Sequence, residues 1–242
     1  MQFYKTISPW YNQIFPFNPQ QLNFVLSYID NPKISITDIG CASGELALKL
    51  SSKGHNVTGI DSDREMIQQA ERKTLALKLD SEFITANMLD TKTLFRPNSI
   101  DIIICFGNTL AHLKNLKEIS NFFSQCHHIL KKGGKILLQV VNYDNIIENR
   151  KESLPSIESK EVIFHRNYKF EKGSPLIRFH TQLIIKKNNH IIENEIPLFP
   201  IQSTDFKKIS KETSFREPVF FGNFKKEAWS KNTMPTVVVC EK

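Results

Sequence analysis

The sequence predicts an α/β fold built on a doubly wound, mostly parallel sheet of seven strands. Up to Val141, strand patterns alternate with helix patterns, which favours parallel strands joined by right-handed crossover helices. A glycine-bearing turn follows the first strand, as in sheets that bind ligands at the carboxyl ends of their strands. After Val141 the pattern becomes that of antiparallel strands, which predicts an inserted β meander before the sheet is completed.

The elements before Val141 follow from hydrophobic periodicity. Gly133-Gly134 provides the stop signal for the last of these helices. In chain order the sequence predicts helix 19–29, strand 34–39, helix 44–53, strand 56–60, helix 63–79, strand 82–86, strand 100–106, helix 115–131 and strand 135–141.

Beyond Val141, three alternating segments separated by turn residues predict the antiparallel meander. The meander is expected to be either a lid over a substrate or a surface for homo-oligomer formation, and the two roles can coexist. The predicted elements here are strands 161–170, 176–186 and 190–197, helix 202–212, and strands 215–224 and 235–241, the last two forming an antiparallel closing hairpin.

These patterns divide the chain into three units. Residues 1–150 are expected to form a ligand-binding domain with an N-terminal cap, 151–200 the antiparallel insert, and 201–242 the hairpin that completes the main sheet.

Composition excludes several classes of protein. Of 242 residues, 40% are hydrophobic and 24% are charged, which fits a soluble domain with a large core. Neither a membrane span nor a secretion signal is recognisable, and the four cysteines show no metal-ligand or disulfide spacing, so we expect a cytoplasmic protein without a metal site. The net charge is +7, but the lysines are scattered rather than arranged in a stripe, which disfavours nucleic acid as a partner.

The segment from Asp38 to Gly44, between the first strand and the next helix, carries the strongest functional signal. Gly40 and Gly44 allow a sharp turn and a close approach of the backbone to a ligand. The segment has neither the G-x-G-x-x-G of dinucleotide sites nor the Gly-Lys-Ser/Thr of a P-loop, and Glu45 would repel a phosphate. Asp61 ends the second strand, where a ribose diol is expected to bind. The pattern therefore predicts a nucleoside ligand without a phosphate.

S-adenosylmethionine is such a nucleoside, and its ammonium and sulfonium suit an acidic, glycine-lined loop. On these residues the chain resembles the class I S-adenosylmethionine-dependent methyltransferases, whose first motif is an acidic residue followed by a glycine-rich loop, with Ala42 in place of the middle glycine. The resemblance implies a Rossmann-like methyltransferase fold, S-adenosylmethionine as the cofactor and methyltransferase activity. The residues expected to bind the cofactor are Asp38, Gly40, Cys41, Ala42, Gly44, Asp61, Ser62, Met66, Asn87, Met88, Cys105 and Asn108.

Two of these residues follow the third strand, where the family contacts adenine. The amide oxygen of Asn87 can accept a hydrogen bond from the exocyclic amine. Met88 can supply apolar contact with the ring, or it can simply fill the core.

The stretch from Cys105 to Leu113, after the fourth strand, bears on the methyl acceptor. It lacks the Asn/Asp-Pro-Pro-aromatic motif of amino-base methyltransferases, and an apolar run around Cys105 would support a thiolate poorly. Cys-Phe-Gly-Asn-Thr-Leu-Ala-His-Leu resembles instead the Cys-x-Gly-Asn-Ser-x-Ala-His-Leu of the glycine and sarcosine N-methyltransferases, and 141–147 resembles their Asn-Tyr-Asp-x-Ile-Leu. This resemblance implies that Asn142 and an arginine of the following sheet orient the acceptor.

We assign that arginine to Arg178, with Arg166 as a close alternative, and either could be a surface residue. A guanidinium suits a carboxylate because it can bind both oxygens at once. The N-terminal aromatic segment resembles one that closes over the cofactor, in which Tyr11 would touch the methyl donor, although Tyr4, Trp10 and Tyr11 could instead cover the sheet edge. The expected catalytic residues are Tyr11, Asn142 and Arg178.

Methyl transfer from a sulfonium is a direct displacement, so an enzyme has mainly to align a lone pair and exclude water. The sequence therefore predicts a methyltransferase for a small-molecule acceptor, with an amine as the leading case. The amine must arrive unprotonated, and its proton leaves afterwards to solvent or to a weak base such as Tyr143 or His112, the latter being equally interpretable as a structural histidine. Two alternatives stay open: an RNA or protein methyltransferase that uses the basic surface, and a cofactor-binding module without turnover.

Overall fold

The computed structural model describes residues 6–242, so Tyr4 and the first residues of the 1–150 unit lie outside the described residues. Eleven strands in this range form two sheets. They are β1 (Ser35–Ile39), β2 (Asn56–Asp61), β3 (Ser81–Thr85), β4 (Ile100–Cys105), β5 (Leu130–Val141), β6 (Ser153–Glu158), β7 (Val162–Phe170), β8 (Ile177–Ile185), β9 (His190–Leu198), β10 (Val219–Phe221) and β11 (Pro235–Glu241).

The larger sheet has the strand order β10-β11-β5-β4-β1-β2-β3. The interior strand β1 runs parallel to β2 and β4, with Ile36 opposite both Val57 and Ile102. At the other edge, β11 is antiparallel to β5 and β10 is antiparallel to β11. This arrangement confirms the predicted doubly wound, mostly parallel sheet of seven strands, including its antiparallel closing hairpin.

Side-chain caps explain where several helices begin. Asn18, Asp63 and Asn115 each accept a hydrogen bond from a backbone N–H of the first helical turn, which satisfies donors that would otherwise lack a partner. The longer helices are α1 (Pro19–Leu26), α2 (Glu45–Ser51), α3 (Arg64–Leu77), α4 (Leu116–Ile129), α5 (Tyr143–Glu148) and α6 (Ser203–Glu212), and single helical turns cover Ser8–Trp10, Tyr11–Ile14, Met88–Asp90, Thr91–Leu94 and Thr109–His112.

The structure differs from the predicted boundaries at three places. Helix α4 ends before Leu130, which is fully buried and pairs with Ile100, so Gly133-Gly134 lie within β5 rather than after a helix. The predicted strand 215–224 shortens to β10. Strand β6 was not predicted, because Pro155 and a register shift against β7 interrupt the alternation by which a strand is recognised.

Helices cover both faces of the seven-stranded sheet. On one face, α4 buries Ile119, Phe122, Phe123, Cys126 and Ile129 against the strands and α6. The opposite face packs against α1 and α2 through a second cluster of buried residues. The core therefore has two apolar layers around the sheet, as expected for parallel strands buried on both faces.

The four-stranded sheet is an antiparallel meander in the order β6-β7-β8-β9. One of its faces packs against the N-terminal segment, where Ile7 and Ile14 contact Val162, Phe164 and Leu183. The insert and the N-terminal segment therefore share one small core, while the insert also adds buried side chains to the core on one face of the main sheet, namely Leu154, Tyr168, Ile177 and Leu198.

Three further observations concern the described part of the chain. None of its helices combines the length and the apolar character that a membrane crossing requires. All four cysteines lie in it as buried free thiols. Within residues 6–242, no group of three or more His, Cys, Asp or Glu side chains is placed to hold a metal ion.

Close packing at Gly44 yields the first prediction. Gly44 has φ +79°, and a Cβ atom there would lie 2.8 Å from Ala70 Cβ and from the Phe83 ring. We expect Gly44→Ala to lower the free energy of unfolding by about 1 to 3 kcal/mol, because it adds a steric clash to a strained backbone. Urea denaturation followed by circular dichroism measures this change.

Gly54→Ala is the matched control. Gly54 also has a positive φ, +95°, but a Cβ atom there would meet nothing within 4 Å. We expect it to cost only the backbone term, about 1 kcal/mol. Equal losses in the two variants would contradict the packing role of Gly44.

Candidate active site

A cavity of about 530 Å³ lies at the carboxyl ends of the parallel strands. The ends of β1, β2 and β5 and the loops after β3 and β4 form its floor, while the N-terminal segment and the inserted sheet form its other walls. This is the edge of the sheet at which doubly wound folds bind ligands.

The loop after β1 forms one side of this cavity through an unusual backbone path. Gly40 has φ +74°, and a Cβ atom there would lie 2.5 Å from the Thr109 side chain. Ala42 also lies in the left-handed region, with φ +47°. The loop is thus pressed against the turn that follows β4, and the N–H groups of Gly40 and Cys41 both donate to Ile60 O at the end of β2.

Asp61 fixes this loop from the neighbouring strand. Its Oδ2 accepts a hydrogen bond from Ala42 N at 2.9 Å, and its Oδ1 accepts one from Asp63 N at 2.9 Å. Burial raises the pKa of the Asp61 carboxyl, and these two hydrogen bonds partly offset that effect. Asp61 therefore braces the loop as well as facing the cavity, a role that the sequence did not predict.

Asp38 makes the cavity strongly acidic. Its side chain is buried, and burial followed by the nearby charge of Asp61 raises its pKa to about 7. The same environment acts on Tyr11. Burial, followed by the charges of Asp61, Cys41 and Asp38, raises the pKa of its hydroxyl. The charged side chains around the loop are thus mainly carboxylates, and the site suits a cationic ligand.

Two contacts hold the N-terminal segment and α3 against the loop. Ser43 Oγ donates to Asn12 Oδ1 at 2.9 Å, so the segment that carries Tyr11 is hydrogen-bonded directly to the loop after β1. From α3, Lys73 Nζ donates to Ser43 O at 3.0 Å and forms an ion pair with Glu45. Tyr11 consequently lines the cavity.

Most other predicted cofactor residues also line the cavity, namely Cys41, Ser62, Met66, Asn87 and Met88. The oxygen of Asn87 already accepts a hydrogen bond from Leu89 N at 2.9 Å, which caps the turn after β3.

Three predicted cofactor residues have other roles in the structure. Gly44 does not reach the cavity and instead allows α2 to pack against α3 and β3. Cys105 is fully buried behind Phe106, which lines the cavity in its place. Asn108 lies at the cavity, but its amide donates to Tyr143 Oη at 2.9 Å and accepts from Val141 N at 3.0 Å, so its side chain is used within the protein.

Asn142 is not at the cavity, which corrects its predicted role in orienting the acceptor. It is fully buried, caps helix α5, and its amide nitrogen donates to Ser230 O and Thr233 O at 3.0 and 2.9 Å. Its side chain holds the loop before β11 and has no donor left for a ligand.

Arg178 is likewise absent from the cavity lining, and the alternative, Arg166, is present there. Arg178 forms an exposed ion pair with Glu171 at 3.1 Å. In the ladder between β7 and β8, Arg178 pairs with Lys169, whereas Arg166 pairs with the fully buried Thr181. Successive residues of a strand face opposite sides of a sheet, so this pairing places Arg178 on the outer side.

The inserted sheet supplies the other half of the cavity. Arg166 donates from Nη2 to Pro155 O at 2.6 Å, while its buried Nε has no hydrogen-bond partner within residues 6–242. Tyr168, only 2% exposed, packs its ring against Phe179, and its hydroxyl makes no hydrogen bond of ordinary geometry with the described residues. Leu154 and Leu198 complete an otherwise apolar wall.

Sequence reasoning missed several residues of this half, although one signal was available. The buried alternation of β8 through Ile177, Thr181 and Leu183 sets the inner face of the insert, and it leaves Arg178 out of phase. At the end of β5, by contrast, no sequence pattern indicated that Gln139 lines a cavity. The missed lining residues are Gln139, Val141, Leu154, Tyr168, Phe179 and Leu198.

His112 lies at the cavity between these two halves. Burial lowers its pKa to about 4, so its imidazole is neutral at physiological pH. Tyr143, the other weak base considered from the sequence, is fully buried and does not line the cavity.

Known proteins share both the sequence pattern and the fold. A methyltransferase domain family matches residues 36–134. A putative methyltransferase of Geobacillus sp. (strain WCH70) is 28% identical over 90% of this chain and 98% of its own length. The ubiquinone/menaquinone biosynthesis C-methyltransferase UbiE of Rickettsia prowazekii (strain Madrid E) is 30% identical over 78% of this chain and 71% of its own length.

The crystal structure of an S-adenosylmethionine-dependent methyltransferase from Clostridium acetobutylicum ATCC 824 superposes with a TM-score of 0.81. It covers 99% of this chain and 98% of its own at 15% identity, so the whole fold is shared, including the insert. By its sequence relatives, its fold and the acidic loop at its cavity, this chain belongs to the class I S-adenosylmethionine-dependent methyltransferases.

Proposed function

We propose that the protein transfers a methyl group to the nitrogen of a small-molecule amine that also carries an anionic group, bound by Arg166. The observation that carries this proposal is Arg166, whose side chain lines the cavity and whose buried Nε has no hydrogen-bond partner among the described residues. A buried donor without a partner costs free energy that a ligand can recover.

The residues of the loop fit S-adenosylmethionine. Gly40 allows the loop to pack directly against Thr109, and the acidic pair Asp38 and Asp61 complements the cofactor's positive charges. Asp61 retains lone pairs for the ribose hydroxyls beyond those used by Ala42 and Asp63, and Met88 offers an apolar surface for adenine. When bound, the cofactor supplies a methyl group activated by the sulfonium.

The acceptor half of the cavity favours an amine in its neutral form. Leu154, Leu198 and Phe179 give the wall an apolar character, which disfavours an ammonium and raises the fraction of free base. Neutral His112 adds no positive charge next to the reacting nitrogen. After transfer, the proton of the product leaves to solvent, with His112 as the titratable side chain best placed to relay it.

Arg166 would hold the opposite end of the acceptor. The hydrogen bond to Pro155 O orients the guanidinium. Within residues 6–242, no carboxylate forms an ion pair with it. Burial lowers its pKa, which means that a bound anion would relieve a desolvated charge. The enclosing walls of the N-terminal segment and insert favour a small acceptor over a polymer.

Methyl incorporation tests the proposed reaction. We expect labelled S-adenosylmethionine to transfer its methyl group to one or more members of a pool of amino acids and other carboxylated amines, and not to RNA. Transfer to phenols or RNA alone, or cofactor binding without transfer to any pool, would contradict the amine assignment.

Paired arginine variants test the acceptor site. We expect Arg166→Met to raise the KM for a carboxylated amine about 10- to 100-fold, because a charge-assisted hydrogen bond contributes about 1.5 to 3 kcal/mol. The dissociation constant of S-adenosylmethionine should stay within about twofold of wild type. Initial-rate kinetics and calorimetry measure the two quantities.

Arg178→Met is the control, since Arg178 lies on the outer side of the same sheet in an exposed ion pair. It should leave both constants unchanged. If Arg178→Met raises the KM as much as Arg166→Met does, the placement of the acceptor against Arg166 is wrong.

The acidic pair predicts a pH dependence of cofactor binding. In the free protein the Asp38 carboxyl, whose pKa is raised to about 7, is protonated at lower pH. A cation favours the ionised carboxylate, so binding should release a proton and strengthen by up to about tenfold per pH unit as the pH rises from about 6 to about 7. Calorimetry in buffers of different ionisation enthalpy measures the released proton.

Asp38→Asn separates this effect from titration of the cofactor itself. The variant cannot release that proton, and its affinity should vary less with pH than that of wild type. A carboxyl whose pKa is raised on folding stabilises the folded state at low pH, and that contribution is lost as the pH rises through about 7. Asp38→Asn should therefore remove this pH dependence of the free energy of unfolding. An unchanged proton release in Asp38→Asn would assign the titration to another group.

A further inference from the structure

The loop after β4 is held by both the backbone and the side chain of Gln139, near the end of β5. Asn108 N donates to Gln139 O at 3.1 Å, and Gly107 N donates to Gln139 Oε1 at 2.9 Å. A backbone N–H can be bonded only by the amide oxygen, so this contact fixes which way round the side-chain amide lies. The amide nitrogen of Gln139 must therefore point away from the loop.

That nitrogen has no hydrogen-bond partner among the described residues, and Gln139 lines the cavity. Gln139 and Val141, at the end of β5, are half-buried and line the cavity. The alternate residues Leu138 and Val140 are fully buried in the core. The only side-chain hydrogen bond of Gln139 in residues 6–242 is the one its oxygen accepts from Gly107 N. Its two Nε2 hydrogens are consequently available to a ligand.

The surroundings give this donor a specific use. Val141 beside it and Leu113 and Leu198 on the cavity wall are apolar, so an oriented amide among them selects ligands by a single hydrogen bond. Gln139 belongs to the main sheet, while Arg166 belongs to the inserted sheet. A ligand that uses both donors must therefore span two walls of the cavity.

We propose that Gln139 is an acceptor-binding residue, whose Nε2 donates a hydrogen bond to an oxygen of the methyl acceptor. The oxygen can belong to a hydroxyl, a carbonyl or a carboxylate, since all three offer lone pairs to an N–H donor. The reacting nitrogen is not the partner, because its lone pair must stay free for the methyl group. This inference rests on the proposed amine acceptor and adds an oxygen atom to its description. The bond to Gly107 holds the donor in place before the acceptor arrives, which lowers the entropic cost of orienting it.

Binding of small amines that lack a carboxylate tests Gln139 independently of Arg166. Ethanolamine and glycinamide carry a neutral oxygen, and propylamine has a methyl group at the corresponding place. We expect wild-type protein saturated with S-adenosylhomocysteine to bind the two oxygen-bearing amines about 5- to 10-fold more tightly than propylamine, as one hydrogen bond of about 1 kcal/mol or slightly more implies. Competition calorimetry measures this ratio without any turnover.

Two variants separate the donor from its support of the loop. Gln139→Glu can still accept the hydrogen bond from Gly107 N but has no N–H to offer, and Gln139→Met loses both. Both variants should reduce the ratio to about one, with the affinity for S-adenosylhomocysteine within about twofold of wild type. Gln182→Met is the matched control and should keep the ratio of wild type, because Gln182 is half-buried, donates to Glu193 and does not line the cavity.

The outcomes are distinguishable from those of the methyl-transfer assay. Absence of a preference in wild type, or a preference that persists in Gln139→Glu, overturns the role of Gln139. Loss in Gln139→Met alone also overturns it, since the loop and not the donor would then be responsible. If the preference behaves as expected but no amine is methylated, the proposed reaction fails while the binding role of Gln139 stands.

Discussion

The hydrogen bond from Ala42 N to Asp61 Oδ2 joins the two β-to-α turns on which the cofactor half of the cavity depends. It requires the left-handed backbone of Ala42, which turns the N–H towards the neighbouring strand. Asp61 accepts from Asp63 N with its other oxygen and thereby also fixes the approach to α3. One carboxylate thus joins both turns, and removing its side chain would affect the structure as well as any proposed binding of the ribose.

This brace has an electrostatic consequence. Placing Asp61 and Asp38 together in a buried pocket is unfavourable when both are charged, and burial, followed by the charge of Asp61, raises the pKa of Asp38. A positively charged ligand relieves it, whereas a phosphate would add to it. The same carboxylates that disfavour dinucleotides and triphosphates therefore favour a sulfonium nucleoside, and selection between nucleosides follows from charge rather than from shape alone.

The sequence predicted best those parts of the fold that local residue patterns determine. The seven-stranded sheet and the Asp38 to Asp61 region could be predicted, because periodicity and turn glycines act locally. Asn142 was misassigned because a capping asparagine and a binding asparagine look alike in sequence, and only tertiary contacts with Ser230 and Thr233 distinguish them. The choice between Arg166 and Arg178 depended on strand phase, which the pairing of β7 with β8 determines. Gln139 could not be found, since its orientation depends on Gly107 in a distant segment.

The inner face of the insert performs two tasks, and the row of Arg166 and Thr181 separates them. On one side of this row, Phe164 and Leu183 pack against the N-terminal segment, which is itself hydrogen-bonded to the cofactor loop through Asn12 and Ser43. On the other side, Tyr168 and Phe179 face the cavity. Since one rigid sheet contacts both the segment over the cofactor loop and the proposed acceptor wall, a displacement of the insert would alter both. In an otherwise apolar face, this polar row marks where packing against the N-terminal segment ends and the cavity begins, and the half-buried guanidinium of Arg166 is held there by its hydrogen bond to Pro155 O.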